Sequence, residues 1–206
     1  MQNEFSSFDS KSLPAKEIYK LMIGSIIPRP IAFITTINTS GSINLAPFSY
    51  FNGVSSSPPC LSVSFADKPD DTKKDTLNNI LRTKEFVVNT TSVTMIDAVA
   101  DSAADYPAEV SELDLLSLET LPAALIKTPR LKIAPVQMEC KLYTTLEIGR
   151  NTLVIGEILM FHCRSDSFSG TKSDAQRIDP LARLGGANYA TIGKIINHPT
   201  PDVKTK

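Results

Sequence analysis

Residues 136–163 read VQMECKLYTTLEIGRNTLVIGEILMFHC, and this stretch decides the fold. Val136, Met138, Cys140, Leu142, Leu146 and Ile148 alternate with Gln137, Glu139, Lys141, Thr145 and Glu147. A period of two belongs to a strand with one face on a core and the other in water. Gly149-Arg150-Asn151 supplies a turn. Residues 153–163 then return as a second strand, apolar on both faces and so expected to be buried on two sides.

Upstream, Pro58-Pro59 opens another strand in which Leu61, Val63 and Phe65 share one face and Cys60, Ser62 and Ser64 the other, a small and polar one. Earlier still, Pro28-Arg29-Pro30 ends a short helix over residues 16–22 and launches an extended stretch over 31–37. Asn38-Thr39-Ser40-Gly41-Ser42 turns the chain into residues 43–50, a hairpin-like signal. Leu77, Ile80 and Leu81 fall at helical spacing after Asp75, residues 86–89 resume strand character, and 93–104 read as helix. The Leu-rich segment 111–127 fits neither period. No repeat, linker or low-complexity tract divides the chain, so one domain over residues 1–206 is expected, frayed only at 1–12 and 198–206. Many strands with few helices fit a mainly β fold, a closed antiparallel barrel with helical covers, because closure removes exposed edges.

With 206 residues and 42% hydrophobic content the chain can bury a proper core. Lys and Arg total 21 against 22 Asp and Glu, which lacks the electrostatic footprint of a nucleic-acid binder. Glu4, Asp9, Lys11 and Lys16 interrupt the first thirty residues, so neither a signal peptide nor a membrane span is expected there, and a cytoplasmic protein is. Cys60, Cys140 and Cys163 are odd in number, far apart and set in apolar runs, which points to reduced core thiols. His162 and His198 are too few for a zinc site, and no metal is expected. His162, among Val154, Ile158 and Met160, reads as a hydrogen-bonded buried imidazole before a catalytic one; His198 reads as solvated. The sequence has no Gly-x-Gly-x-x-Gly, Walker, Gly-x-Ser-x-Gly or His-Glu-x-x-His motif.

Three stretches remain for chemistry. In Thr72-Lys73-Lys74-Asp75-Thr76, Thr72 or Asp75 caps the following helix, or the free N–H groups of its first turn, the Thr76 hydroxyl and the Lys74 ammonium converge on a phosphate. The two are compatible if Asp75 turns away to cap the chain. Residues 44–53, NLAPFSYFNG, read as a loop between strands, or as a seat for a flat heteroaromatic ligand with Phe48 and Phe65 as apolar walls. Residues 180–189, PLARLGGANY, form a tight turn at Gly185-Gly186 from which Arg183 and Tyr189 project.

Taken in order, IIPRPIAFITTINTSGSINLAPFSYFNGVSSSPPCLSVSF, KKDTLNNILRTKEFVVN, APVQMECKLYTTLEIGRNTLVIGEI and PLARLGGANYATIG resemble the flavin reductase-like FMN-binding split-barrel family, its flavoredoxin-like group. The resemblance runs from about Ile18 to Gly193. It implies a Greek-key split β-barrel that binds FMN non-covalently, usually as a homodimer with the flavin near the subunit boundary. Transferred to this chain, Lys74, Asp75 and Thr76 hold the FMN phosphate, while Ala46, Pro47, Phe48 and Ser49 with Ser62, Ser64 and Phe65 lie along the isoalloxazine. Arg29, Thr35, Thr36 and Asn89 complete the pocket, and Arg183 and Tyr189 lie near the dimer boundary. The implied activity is that of an oxidoreductase passing electrons from NAD(P)H through FMN to an unspecified acceptor, with no assigned general acid or base. The alternatives are a flavoredoxin-like electron carrier fed by a protein donor and a non-catalytic FMN-binding or storage module.

Overall fold

Consecutive strands at opposite ends of one sheet define the architecture. The computed structural model describes residues 4–104, 106 and 111–199. Its main sheet has seven antiparallel strands: β1 (Ala32–Ile37), β2 (Ile43–Phe48), β3 (Phe51–Ser56), β4 (Pro59–Ala66), β5 (Glu85–Thr90), β6 (Val136–Ile148) and β7 (Asn151–Cys163). Their order is β2-β1-β5-β6-β7-β4-β3. Only Ser49 and Tyr50 separate β2 from β3, so the two ends of the sheet must meet, and the sheet curls into a Greek-key barrel. The Ser64 N–H bonds the Tyr50 carbonyl at 2.9 Å beside that junction.

Side chains fill the barrel. Ala32, Ile34, Leu61, Val63, Phe65, Phe86, Val88, Cys140 and Val154 point inward and are buried. Helix α1 (Ala15–Ser25) lies ahead of the barrel, and α2 (Asp75–Thr83) adds Leu77 and Ile80 to the same interior cluster. Asn79 of α2 donates to Thr36 at 3.1 Å and to Asn38 at 2.7 Å, fixing the helix on the end of β1. Gly156 leaves room in β7 for the Phe86 ring, since a Cβ there would lie 2.4 Å from it and force it to shift.

A second core covers the outside of β1 and β2. Ile31, Phe33 and Leu45 pack there against Met95, Val99, Leu113, Leu131 and Leu181. The covering elements are a 3-10 turn (Val93–Met95), α3 (Ile96–Asp101) and α4 (Glu112–Leu115). Residues 93–104 are thus two short helical pieces, and the Leu-rich segment resolves into α4 and a two-residue strand, Thr120–Leu121, paired with Arg130–Leu131. No helix of the described residues is long and apolar enough to cross a membrane.

The long hairpin departs from simple alternation. Tyr143 has no partner on β7, because Leu142 pairs with Gly156 and Thr144 with Ile155. This bulge reverses the faces, so Leu146 and Ile148 do not join the interior and remain 57% and 58% exposed. At the other end Gln137 and Glu139, expected in water, are buried beneath the loop before residue 132. Glu139 accepts the N–H groups of Ala124 at 2.6 Å and Leu125 at 2.8 Å, and lies 2.6 Å from His162 Nε2. His162 is therefore hydrogen-bonded as expected, but it is only partly buried, its side chain 22% exposed. Burial opposes ionisation of Glu139, yet Ala124, His162 and Leu125 together hold its carboxyl below the usual range. Residues 44–53, read as a loop between strands, instead belong to the end of β2, the Ser49-Tyr50 link and the start of β3, which pairs with β4 from Phe51↔Val63 to Ser56↔Pro59. Cys60 and Cys140 are buried, but Cys163, expected in the core, is exposed.

Candidate functional site

The last residues of β2 form the floor of a groove. Pro47 and Phe48 line it throughout, and Ala103 faces them. Phe65 supports the floor from inside the barrel, its ring centroid 4.5 Å from that of Phe48. Pro47 still pairs with Phe33, so the floor is a continuation of the sheet and is as rigid as the sheet.

One end of the groove, about 110 Å³, lies at the start of α2 and is lined by Asn44, Lys68, Lys74, Asp75, Thr76 and Glu112. The first intrahelical bond runs from the Asn78 N–H to the Lys74 carbonyl, and the Lys74 side chain does not cap the helix. Neither expected cap forms. Thr72 donates to Asp70 at 2.6 Å, and Asp75 is paired with Lys68 at 2.9 Å. Among the described residues no side chain takes the N–H groups ahead of the first helical bond, which lie at the positive end of the helix dipole. Thr76, 2% exposed, accepts from Asn44 at 2.9 Å and keeps its own proton to give. Lys73 turns away to Glu147 and Thr152, at 3.1 Å from each. Burial, and after it the charge of Asp75, raise the Glu112 carboxyl above its ordinary range, against the N–H of Leu45.

The other end, about 200 Å³, is lined by Tyr19, Ile23, Arg29, Ser49, Arg183 and Tyr189 among others. Arg29 is 5% exposed. Its guanidinium donates to the carbonyls of Ile23 at 2.7 Å, Ile26 at 2.9 Å and Leu184 at 2.9 Å, and to Ser49 Oγ at 3.3 Å. All four partners are neutral oxygens, and two belong to the carbonyl end of α1, where a cation is favoured. Among the described residues no carboxylate pairs with it. Nearby, the Tyr50 hydroxyl is buried with no hydrogen-bond partner among the described residues. Arg183 lies 4.5 Å from the Tyr189 ring centre and donates to the Gly186 carbonyl at 2.6 Å.

Arg29, Ala46, Pro47, Phe48, Ser49, Lys74, Asp75, Thr76, Arg183 and Tyr189 thus share one groove. Six other predicted residues lie off it. Thr35 donates to the Pro129 carbonyl at 2.7 Å, and Asn89 bonds the Phe33 carbonyl and the Leu131 N–H, both at 2.9 Å. Both serve the second core. Thr36 is held by Asn79, and Phe65 is fully buried. Ser62 donates to the Asn52 carbonyl and Ser64 accepts from Asn151, both on the outer face of β4. The sequence reading missed Tyr19, Lys68, Ala103 and Glu112. Glu112 sits in the segment without a period, where only the fold brings it to β2.

Taken together, the groove offers a donor-rich end, a flat apolar middle and a buried cation with no anionic partner among the described residues. Comparisons with known proteins identify the family. Residues 23–181 match the family model described as flavin reductase like domain. An uncharacterized protein of Aquifex aeolicus is 36% identical over 183 residues, 88% of this chain and 93% of its own length. The structure of nitrilotriacetate monooxygenase component B from Bacillus cereus is 35% identical and covers 95% of this chain and 100% of its own, with a TM-score of 0.92. That of 2-nitrobenzoate 2-nitroreductase NbaA from Pseudomonas fluorescens is 29% identical and covers 98% and 99%, with a TM-score of 0.85. The chain therefore belongs to the flavin reductase-like family.

Proposed function

We propose that the groove binds FMN and that the protein is an oxidoreductase passing electrons from NAD(P)H through the flavin to an acceptor. The observation that carries this is the open start of α2 in the same groove as Arg29. Lys74, the Thr76 hydroxyl and the first N–H groups of α2 suit a phosphate monoester, for which charge-assisted bonds contribute about 1.5–3 kcal/mol each. Ala46, Pro47, Phe48 and Ser49 suit the isoalloxazine. When bound, FMN supplies the hydride and electron chemistry. The protein's part is to orient the ring and to favour negative charge on it. Arg29 serves the second task, because its buried charge faces only neutral oxygens.

No dinucleotide-binding glycine motif is present, which fits a nicotinamide that binds transiently and weakly. The similarity to one component of a monooxygenase supports an acceptor carried by a partner protein, and the similarity to a nitroreductase supports a small nitroaromatic acceptor. A homodimer fits the exposed apolar Leu146 and Ile148 on the hairpin, with Arg183 and Tyr189 near the boundary, and a cytoplasmic location belongs to the same proposal.

The test is the visible spectrum of the purified protein before and after desalting, followed by NADH and NADPH oxidation with added FMN. Retained yellow colour and turnover are expected. Colourless protein that takes up no FMN removes the cofactor assignment, and bound FMN without turnover on either nicotinamide removes the donor. In the latter case, rapid reduction by a protein donor selects a flavoredoxin-like carrier, and inertness to every donor selects a storage module.

A further inference from the structure

Glu112 places a carboxylate where an anion is to be held. It is fixed there by the free edge of β2, which has a sheet neighbour on one side only. Ser111 Oγ donates to the Ile43 carbonyl at 2.8 Å, and Glu112 Oε2 accepts the Leu45 N–H at 3.1 Å. These two bonds tie α4 to the strand whose Asn44 and Ala46 line the groove, and they hold the carboxylate in the groove wall. Among the described residues the other charged and titratable side chains facing it are Lys68 and Asp75, which pair with each other, Lys74, and Tyr106. Asp114 lies on its own helix. Among the described residues no cation is within ion-pair distance of Glu112, whose one recorded partner is a neutral N–H.

We propose that Glu112 takes up a proton from solvent when a phosphate monoester enters the groove, and so sets the pH range in which the site loads. The inference rests on the groove being the FMN site. Among the described residues two lysines and two carboxylates line this end of the groove, so a phosphate dianion arriving beside an ionised Glu112 adds repulsion that a proton on its free oxygen removes. Burial and Asp75 already favour the neutral carboxyl. Protonated, Glu112 keeps an acceptor for Leu45 and gains a donor for the phosphate. The linkage acts on FMN and leaves riboflavin untouched, because riboflavin carries no phosphate.

The test is calorimetric titration of the whole protein with FMN at pH 7.0, in PIPES and in imidazole, whose ionisation heats differ. At that pH the phosphate, with a second pKa near 6, is already mainly dianionic. The wild-type protein is expected to take up a substantial fraction of a proton per FMN and none with riboflavin. Glu112→Gln keeps an oxygen for the Leu45 N–H and is expected to take up almost none. Its FMN affinity at pH 8 is expected to rise about tenfold, the equivalent of one pKa unit. Uptake that persists in Glu112→Gln overturns the proposal, and its loss in Asp75→Asn then assigns the proton to Asp75. Tight FMN binding by the wild-type protein without uptake overturns it directly, independently of any variant. If neither FMN nor riboflavin binds, the FMN assignment itself falls and the linkage with it.

Discussion

Arg29 links segments that are far apart in the chain. It joins α1, the Leu184 turn and Ser49 through four bonds to neutral oxygens, and a shorter or apolar side chain leaves buried carbonyls without donors. Arg29→Met is expected to cost about 3 kcal/mol or more, read from urea denaturation. At the opposite end of the groove, Lys74→Ala should weaken FMN by about 10- to 100-fold, the loss of one charge-assisted bond, and leave riboflavin unchanged in fluorescence titration. Equal loss for both ligands refutes the phosphate assignment. Glu139 makes a prediction about acid. Its carboxyl lies below the usual range in the folded protein, so it stabilises the fold above the unfolded carboxylate pKa of about 4.3. That stabilisation is lost as pH falls through the lower folded value. Glu139→Gln is expected to flatten the decline of urea midpoint between about pH 5 and 3. In the sequence, Lys74, Thr76, Pro47 and Phe48 were legible as residues of the candidate groove because prolines and helix starts leave local marks. Thr35 and Asn89 were not, since both faces of β1 and β5 are covered and alternation does not say which covering is protein.

The long hairpin of β6 and β7 shows what a period can and cannot tell. Both strands were readable from alternation and from the Gly149 turn, but the bulge at Tyr143 left no trace in the pattern, because Leu146 and Ile148 keep the spacing of interior residues. Edge strand β3 was missed for the opposite reason. Phe51–Ser56 is short of β-branched residues and mostly exposed, and only its pairing with β4 makes it a strand. The start of α2 was legible as a helix start, while its capping was not, because Asp75 is drawn to Lys68 by a fold-level contact. Within β7, Gly156→Ala is expected to destabilise the protein by about 1–3 kcal/mol through collision with Phe86. Pairing it with Phe86→Leu in a double-mutant cycle should recover part of the loss, and additive losses would show that the collision is not the cause.

At the scale of the molecule, two cores share the wall formed by β1 and β2, one inside the barrel and one outside it. This accounts for the cysteines. Cys140 sits deep in the inner core, where burial pushes its thiol far up, Cys60 is also buried, and Cys163 emerges at the end of β7. Native protein treated with a maleimide at neutral pH is therefore expected to label once, at Cys163, and three times after denaturation; rapid labelling of all three without denaturant contradicts the burial pattern. The barrel was legible as a count of strands and turns. Its closure was not, because it depends on which strands pair across long separations. That closure places the floor residues Pro47 and Phe48 directly before Ser49 and Tyr50, the two-residue seam where the first and last strands of the sheet meet. A molecule lying across the seam acts as a suture: the barrel cannot unzip there without releasing it, so filling the groove and keeping the cylinder shut become a single equilibrium.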